Sequence, residues 1–414
     1  MSGGTLATMK LPLAIGAVSA FTVMAACGTR NGPAGQPLAS LTVDAIAAPV
    51  ANDSYSLQLT TARTRTILSW IEGAAPDTTL KFAERTASGW SEALPVVTGG
   101  EIIVNSADVP SVRPLSDGAL AAQWLVENSV DPDDPAVYDL RLAWSADQGR
   151  TWTPAASPHD DGTRSQHGFA SLFDRPGDST SGLVWLDGRA AAGGPIGDMA
   201  LRVAQYNARH VQVAQSVLDP RVCECCQTAA AATSEGIVVA YRDRSPDEIR
   251  DIYVVRSQGD GWGQPSLVHR DGWKINGCPV NGPAISAQGL DVAVAWFTVQ
   301  DEAGRALVAF SQDGGRSFGS PIRLDEAASA GRVQVVLLED RSAAVSWIES
   351  GGEAQSFMAR RVASDGRRGP AVTIAEGIGR QQYPRLVRHG RELLFAWIKS
   401  ADGTTHLQTA RAPL

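Results

Sequence analysis

The sequence lacks the residue pattern that is typical of long amphipathic helices. Across its 414 residues, apolar side chains do not recur with the three- and four-residue spacing that such helices need. Short alternating runs of valine, leucine, alanine and tryptophan occur instead, separated by glycine, aspartate and proline. This pattern is typical of strands joined by turns, and it predicts an all-β fold.

The sequence also has no excess of positively charged residues. The chain carries 36 Lys and Arg against 44 Asp and Glu, which gives a formal net charge of −8. Recognition of nucleic acid would require a basic stripe or patch. We therefore expect no nucleic-acid partner, and we expect the protein to be a monomer.

The sequence has one long apolar run, from Leu11 to Val23. It is followed by Met24-Ala25-Ala26-Cys27. It falls short of the roughly 20 apolar residues that a transmembrane helix needs. Small residues just before a cysteine resemble the lipobox of bacterial lipoproteins. The alternative is an ordinary signal peptide followed by a chance cysteine.

The lipobox resemblance implies a signal peptide over residues 1–26 and a lipid on Cys27. Residues 27–40 are rich in glycine, proline and small side chains, which predicts a flexible tether. The membrane would then be a partner through this anchor. Because Gly28 and not aspartate follows the cysteine, we expect a bacterial envelope protein of the outer membrane.

A repeat dominates the remainder, from residue 41 to residue 414. A short apolar run ends in an aromatic residue seven times, at Trp70, Trp124, Trp185, Tyr241, Trp296, Trp347 and Trp397. The intervals range from 50 residues (397 − 347) to 61 residues (185 − 124). A unit of this length with several short strands is typical of a propeller blade, so the sequence predicts a seven-bladed β-propeller.

The last repeat is too short for a complete blade. After Trp397 there is room for only one further strand. We expect an N-terminal strand within residues 41–50 to supply the missing outer strand. Such pairing would close the ring without a covalent bond and cover two sheet edges.

Two predicted turns share a second sequence pattern. Residues 145–152 and 311–318 both fit Ser-x-Asp-x-Gly-x-Thr/Ser-aromatic. They resemble the Asp-box, or BNR repeat, of the sialidase superfamily. That resemblance implies a propeller, and it implies exo-α-sialidase-like glycoside hydrolysis if the protein is an enzyme. Sialidases have six blades, which leaves six as the alternative count.

Four of the 5 cysteines fall in one stretch of the sequence. Cys223, Cys225 and Cys226 are almost adjacent, and Cys278 follows later. They fall in two loops that link consecutive blades, which predicts that both loops lie on one face. After secretion, disulfides are the default state, and we expect Cys278 within bonding reach of one of the other three. The alternative is a thiolate site for copper or zinc.

The sialidase resemblance implies a cluster of arginines that binds a substrate carboxylate, together with acidic groups and a tyrosine. The catalytic candidates on the same face are Arg242, Arg385, Tyr383, Glu248 and Asp187. The candidates for ligand binding are Arg189, Arg250, Trp273 and Asn281. The Arg-Ile-Pro signature of sialidases is absent, and a salt-bridge network within a long loop is the alternative for the charged residues.

Three functions therefore remain open. The first is recognition or hydrolysis of a glycan, or of another acidic ligand, on the loop face. The second is metal binding or redox chemistry by the cysteines. The third is a propeller that only binds other proteins. The six histidines show no ligand spacing, so we expect each of them to be solvated or structural.

Overall fold

The structure is a computed structural model, and it describes residues 1–4, 37–50, 53–128, 137–175, 180–191, 198–351, 354–379, 381–401 and 403–414. Cys27 and almost all of the predicted signal peptide lie outside the described residues. Residues Pro37–Leu414 form one unit. They build seven antiparallel sheets, each of three to five strands.

The first two blades follow the N-terminal strand β1 (Asp44–Ile46). Blade 1 consists of β2 (Ser54–Ala62), β3 (Arg65–Glu72), β4 (Thr79–Thr86), β5 (Gly89–Trp90) and β6 (Leu94–Thr98). Blade 2 consists of β7 (Ser111–Pro114), β8 (Leu120–Glu127) and β9 (Tyr138–Ser145).

The two middle blades carry most of the predicted site. Blade 3 consists of β10 (His167–Arg175), β11 (Thr180–Asp187), a 3-10 helix at Arg189–Ala191, β12 (Met199–Tyr206) and β13 (Gln212–Val222). Blade 4 consists of β14 (Ala229–Thr233), β15 (Gly236–Arg242), β16 (Ile252–Gln258), β17 (Gly261–Trp262) and β18 (Ser266–His269).

Blades 5 and 6 have four strands each. Blade 5 consists of β19 (Ala284–Gln288), β20 (Asp291–Gln300), β21 (Ala303–Ser311) and β22 (Ile322–Arg323). Blade 6 consists of β23 (Ser329–Leu337), β24 (Ala343–Gly351), β25 (Ala354–Val362) and β26 (Val372–Glu376).

Blade 7 closes the ring with strands from both ends of the propeller. It consists of β27 (Arg385–His389), β28 (Glu392–Ala401), β29 (Thr404–Pro413) and β1. Strand β1 pairs antiparallel with β29, with Ala45 opposite Ala410. The seven-blade count and the closing N-terminal strand are both confirmed, and the six-blade alternative is wrong.

The repeated aromatic residue lies on the second strand of every blade. Trp70, Trp185, Tyr241, Trp296 and Trp347 are completely buried, and Trp124 and Trp397 nearly so. Several of the indoles also donate a hydrogen bond to a carboxylate, as Trp185 does to Asp187 at 2.9 Å. The repeat therefore marks core packing, because each ring fills the space beside its own sheet.

The core is divided into seven hydrophobic clusters, one between each pair of neighbouring blades. The cluster that joins blade 7 to blade 1 contains Leu394 and Ile398 on one side and Leu59 and Trp70 on the other. No blade can bury both faces of its sheet alone, so each depends on its two neighbours.

The two Ser-x-Asp turns form the same hydrogen-bond pattern. Asp147 accepts from the backbone N–H of Thr151 at 2.9 Å, and the Ser145 hydroxyl accepts from Gly149 N–H at 2.8 Å. Gly149 has a φ of +83°, and a Cβ there would clash with the ring of Phe82. Glycine is therefore required by both the backbone and the neighbouring blade.

The loops that link blades and the loops between second and third strands lie together, on what we call the upper face. Cys223 N–H donates to Arg242 O at 3.0 Å, and Arg250 N–H donates to Trp273 O at 2.9 Å. These bonds join three separate loops around blade 4. Among the described residues, no helix is long and apolar enough to cross a membrane.

Candidate functional site

A cavity of about 580 Å³ lies on the propeller axis, enclosed by the innermost strands of all seven blades. Its wall is polar, with hydroxyl and amide side chains on several strands. Some of them join neighbouring blades: Thr60 Oγ1 donates to Val112 O at 2.6 Å, and Ser171 Oγ donates to Thr228 O at 2.7 Å. A ring of such bonds keeps the wall in place.

The charge of the cavity wall is positive, although the whole chain is acidic. The charged residues in the wall are Arg63, Asp108, Arg113, Arg385 and Arg388. Arg113 pairs with Asp174 at 3.5 Å, and Arg388 pairs with Glu339. Two of the four arginines are therefore already neutralised by carboxylates.

Arg385 is the exceptional arginine of the cavity. It is buried at the start of β27, and its Nε donates to Leu57 O at 3.4 Å. Among the described residues, no carboxylate lies within ion-pair distance of its guanidinium. Burial lowers the pKa of Arg385 to about 10, so the group stays charged at neutral pH without a countercharge. Such a cation favours an anion in the cavity.

Asp108 is the one carboxyl group of the cavity wall that the structure describes. It is 2% exposed, and its Oδ2 has no hydrogen-bond partner among the described residues. A Cβ at position 168 would clash with this oxygen, so the carboxyl fits only because residue 168 is glycine. Burial raises the pKa of Asp108 to about 7. No motif in the sequence marks Asp108, because it is a lone aspartate in a loop.

The upper end of the cavity is covered by the residues that follow the cysteines. Gln227 donates from Nε2 to Ala107 O and accepts from Gly282 N–H, both at 2.9 Å. A Cβ at residue 282 would overlap the backbone of Gln227, so only glycine allows this approach. The Tyr383 hydroxyl donates to Val280 O at 2.8 Å. These contacts link blades 2, 4, 5 and 7 across the axis.

The backbone of Val280, in the loop that covers the cavity, is strained. Its φ is +49°, a conformation that β-branched residues rarely adopt. Its carbonyl accepts hydrogen bonds from both Tyr383 and Arg332, and the Arg332 guanidinium stacks on the Tyr383 ring at 4.1 Å. These contacts hold Val280 in an unfavourable backbone conformation, as is common beside ligand sites.

The four cysteines form two disulfides on the upper face. Cys225 bonds Cys278 with Cα atoms 6.0 Å apart, and Cys223 bonds Cys226 with Cα atoms 5.7 Å apart. The prediction that Cys278 lies within bonding reach of one of the other three cysteines is confirmed. Cys223 and Cys226 are buried, whereas Cys278 is exposed. The bridge to Cys278 ties together the two chain segments that cover the cavity.

Charged residues surround the buried disulfide. Arg250 is 1% exposed; it donates to Glu224 at 2.6 Å and to Cys223 Sγ at 3.4 Å. Arg244 donates to Glu248 at 2.8 Å, and Arg250 donates to the same carboxylate at 3.1 Å. Hydrogen bonds, chiefly from Arg244, lower the pKa of Glu248 to about 2. This network uses the charges of Arg250 and Glu248 to hold the loop.

Arg242 is also occupied by the protein. It is 1% exposed and donates to three backbone carbonyls, those of Asn281, Arg250 and Phe297, at 2.5–2.9 Å. Its guanidinium lies 5.0 Å from the centre of the Trp273 ring. The structure therefore places Arg242 and Trp273 in the support of the loops. Removal of the guanidinium would leave three buried carbonyls without donors.

Asn281 has a similar supporting position. Its Nδ2 donates to Pro279 O and Ala330 O, each at 3.3 Å, and its Oδ1 accepts from Arg332 N–H at 3.0 Å. These bonds fasten the loop after Cys278 to blade 6. The side chain is buried, with little of it left for a ligand.

Asp187 and Arg189 belong to a different group on the upper face. Arg189 Nε lies 2.7 Å from Asp187 Oδ1, and its Nη2 lies 3.0 Å from Asp161. His167 and His159 complete this group, and both are buried. From the sequence, each histidine is expected to be solvated or structural, and Asp187 and Arg189 are expected on the same face as the cysteines. Tertiary packing brings the histidines together, a contact that their spacing in the sequence could not reveal.

The fold is shared with solved structures at low sequence identity. The polysaccharide lyase Uly1 superposes with a TM-score of 0.53 and 11% identity, over 87% of this chain and 90% of the lyase. A mutant of the NanB sialidase from Streptococcus pneumoniae gives a TM-score of 0.46 and 9% identity, over 84% of this chain and 83% of the sialidase.

An α-L-arabinofuranosidase from Fusarium graminearum gives a TM-score of 0.48 and 12% identity, over 74% of this chain and 92% of that enzyme. No protein-family model and no curated protein matches the sequence. The likeness to the lyase shows a common propeller fold, and fold by itself does not assign an activity.

Replacement of Cys278 by serine tests the bridge over the cavity. This disulfide closes a separation of 53 residues, and closing a loop of that length stabilises a protein by about 4 kcal/mol in the chain-entropy model. We expect Cys278→Ser to lower the melting temperature and to release one thiol at Cys225. Thermal unfolding and thiol labelling with peptide mapping measure both effects, in a Cys27→Ser background without reductant.

The matched control is Asn276→Ser, an exposed change two residues away in the same loop. It should leave both the melting temperature and the thiol count unchanged. An unaltered melting temperature in Cys278→Ser, with no additional thiol, would contradict the assigned bridge.

Proposed function

We propose that this propeller binds an acidic glycan in its central cavity, with Arg385 as the partner of a sugar carboxylate. The observation that carries the proposal is the buried guanidinium of Arg385, which lines the cavity and has no carboxylate neighbour among the described residues. A planar guanidinium matches a carboxylate with two parallel hydrogen bonds. A bound anion would offset the cost of burying this cation.

The dimensions and lining of the cavity support a sugar ligand. Its volume of about 580 Å³ lies within the roughly 300–1,000 Å³ of small-molecule sites. Hydroxyl and amide side chains in the wall offer hydrogen bonds that sugar hydroxyl groups can use. The class of ligand is therefore a glycan that carries a uronic or sialic acid.

Binding is favoured over hydrolysis because only one carboxyl group is described in the wall. Most glycosidases use two carboxyl groups that flank the scissile bond. Asp108, with its pKa near neutrality, can hold or release a proton, but it has no second carboxyl partner among the described wall residues. Glu248 and Asp187 are engaged by arginines away from this wall.

The polysaccharide lyase that shares this fold gives modest support. Its name shows that a propeller of this architecture can act on a polysaccharide. The site must still be argued from the residues of this chain, because unrelated activities occur on one fold.

We also propose a bacterial outer-membrane location, with the propeller anchored through a lipid on Cys27. This part of the proposal depends on the lipobox-like sequence before Cys27. A surface or periplasmic address would place the cavity among envelope and environmental polysaccharides.

Replacement of Arg385 by glutamine tests the carboxylate partner. A charge-assisted hydrogen bond contributes about 1.5–3 kcal/mol, so Arg385→Gln should weaken binding by roughly 10- to 100-fold. Calorimetric titration with trigalacturonate and with sialyllactose measures the loss for both acid classes. The neutral sugars maltotriose and lactose should bind weakly to both forms of the protein.

Arg361→Gln is the matched control, because Arg361 pairs with Asp340 outside the cavity. Its affinity for the acidic sugars should equal that of the unchanged protein. If neither acidic sugar binds, or if Arg385→Gln binds them equally well, the proposal is wrong.

The pH dependence of binding tests the role of Asp108. Its pKa is raised from 3.8 to about 7, so the carboxyl is largely protonated below pH 7 and ionised above it. Ionisation adds a negative charge to the wall, and we expect the affinity for trigalacturonate to fall as the pH rises through about 7. Asp108→Asn should remove this fall, and titrations on both sides of that pH measure it.

Stability gives an independent check of the same titration. The folded protein binds one more proton than the unfolded chain between the two pKa values of Asp108, so this group destabilises the fold as the pH rises from about 4 to about 7. Asp108→Asn should therefore gain stability relative to the unchanged protein across that window in urea unfolding. A constant difference across the window would show that Asp108 has an ordinary pKa.

The cysteines support a second candidate function, which is thiol redox chemistry or the binding of Cu(I) or Zn(II). The observation that favours it is the exposed Cys278 above a buried disulfide. The sulfur atoms of Cys223, Cys225 and Cys226 lie within 4.8 Å of one another. Reduction would create thiolates close enough to share a soft metal ion, and the neighbouring Arg250 would favour the thiolate form.

Copper titration before and after reduction tests this second function. In a Cys27→Ser background, Cu(I) should bind only after reduction with a dithiol, because the two disulfides then leave no free thiolate. The double replacement Cys223→Ser and Cys226→Ser should abolish it. Equal copper binding by the oxidised protein would contradict a thiolate site, and so would a failure of the reduced protein to bind.

A further inference from the structure

Two buried histidines stack against each other between blades 2 and 3. The His159 and His167 rings are nearly parallel, with an interplanar angle of 4° and centroids 3.7 Å apart. His167 is fully buried, and His159 is 9% exposed. Three carboxylates surround the pair, those of Asp139, Asp161 and Asp187. We call these five residues the histidine cluster.

The topology explains why these residues meet. Asp139 lies at the start of β9, His167 at the start of β10 and Asp187 at the end of β11. All three positions are at the upper ends of their strands, and His167 lies directly opposite Asp187 in the sheet. The cluster is therefore independent of the cavity and of the cysteines.

Three of the four ring nitrogens lack hydrogen bonds within the part of the chain that the structure describes. Both nitrogens of His167 and Nε2 of His159 are buried without a partner among the described residues. A buried donor or acceptor without a partner costs about 1–3 kcal/mol. Such groups call for an explanation, and a bound ion is among the usual ones.

The separations within the cluster suit a shared cation better than hydrogen bonds. Asp139 Oδ1 lies 3.8 Å from His159 Nε2 and 3.7 Å from His167 Nδ1. These distances exceed the limit of about 3.2 Å for a good N–H···O bond. Ligands about 2.0–2.1 Å from a tetrahedral zinc ion lie roughly 3.3–3.5 Å from one another, which is close to what this cluster shows.

The stack has two edges, and the edge at Asp139 is the better site. The Oδ2 atom of Asp139 accepts from Asn128 Nδ2 at 3.0 Å, which leaves Oδ1 directed at the two rings. At the opposite edge, Arg189 Nη2 lies 3.0 Å from Asp161. The Asp161 oxygen that faces the rings, Oδ2, is therefore already paired with a guanidinium, whereas Arg141 contacts only the outer oxygen of Asp139, Oδ2, at 3.3 Å.

The opposite edge provides what a metal-bound histidine needs. Asp161 Oδ2 lies 3.7 Å from His159 Nδ1 and 3.3 Å from His167 Nε2, and Asp187 lies 3.8 Å from the latter. Histidine ligands of metal ions usually donate their other ring N–H to a carboxylate, which fixes the tautomer. Among these contacts, the 3.3 Å between Asp161 Oδ2 and His167 Nε2 comes nearest to hydrogen-bond distance, so Asp161 is the carboxylate placed to orient His167.

We propose that the histidine cluster binds one divalent transition-metal ion, with zinc the best match, through Asp139 Oδ1, His159 Nε2 and His167 Nδ1. Two imidazoles and one carboxylate are typical zinc ligands, and a fourth position remains for water or another ligand. For both rings to bind one ion they would have to tilt apart from their stack, because the lone pair of each imidazole nitrogen lies in its own ring plane.

The ion would join blade 2 to blade 3. Asp139 belongs to β9, His167 belongs to β10, and His159 lies in the connection between the two blades. Blade 2 has only three strands, fewer than any other blade described. A metal ion that spans this connection would hold the smallest sheet against its neighbour.

Zinc content and zinc titration of the chain in a Cys27→Ser background without reductant test the proposal, since the other four cysteines remain in the two disulfides under this condition. We expect one Zn²⁺ per chain by elemental analysis and calorimetry, with a higher melting temperature in the zinc-loaded protein. His159→Gln and Asp139→Asn should each lose the ion and the zinc-dependent rise in melting temperature. His406→Gln is the matched control, because His406 is a partly buried histidine whose ring bonds Thr404 far from the cluster.

Cobalt substitution separates loss of the site from loss of the fold. Co²⁺ in the unchanged protein should show visible absorption of a nitrogen- and oxygen-ligated ion without a thiolate-to-cobalt band, and both variants should lack this absorption while they keep the far-ultraviolet circular dichroism of the unchanged protein. Absence of zinc and cobalt binding in the unchanged protein would overturn the proposal. Unaltered binding in both folded variants, or a thiolate band, would also overturn it.

Discussion

Mutual burial of neighbouring blades is the constraint from which the rest of this structure follows. Each sheet has an apolar side chain layer on both faces, and seven clusters between blades cover them. A ring is the arrangement that leaves no sheet face exposed. Closure depends on the pairing of β1 with β29, because a covalent bond does not join the first and last blades.

The ring places polar groups close together at its centre, and most of those described here form hydrogen bonds or ion pairs within the protein. Arg242 donates to three backbone carbonyls, and Asn281 fastens a loop to the next blade. Arg385 differs because it is buried in the cavity wall without a carboxylate partner among the described residues. This contrast between two buried arginines separates a supporting residue from a residue available to a ligand.

The cysteines connect the upper face to the cavity. The segments that follow Cys226 and Cys278 cover the axis through Gln227 and Gly282, and the disulfide from Cys225 to Cys278 holds these segments together. The cavity roof is therefore held by a disulfide that includes the exposed sulfur of Cys278. The histidine cluster is a separate feature, built where the third strand of one blade meets the first strand of the next.

The sequence alone determined the number of blades, the closing strand and the approach of Cys278 to at least one of the other three cysteines, because aromatic spacing and loop order follow from the repeat. It also named Arg385 as one of five catalytic candidates, with Arg242, Tyr383, Glu248 and Asp187, and that role stays a prediction. Tertiary structure alone decided which arginine faces the cavity, that Asp108 is buried beside Gly168, and that His159 stacks on His167. The physical reason is that burial and hydrogen-bond partners depend on residues from other blades, and no local pattern in the sequence encodes them.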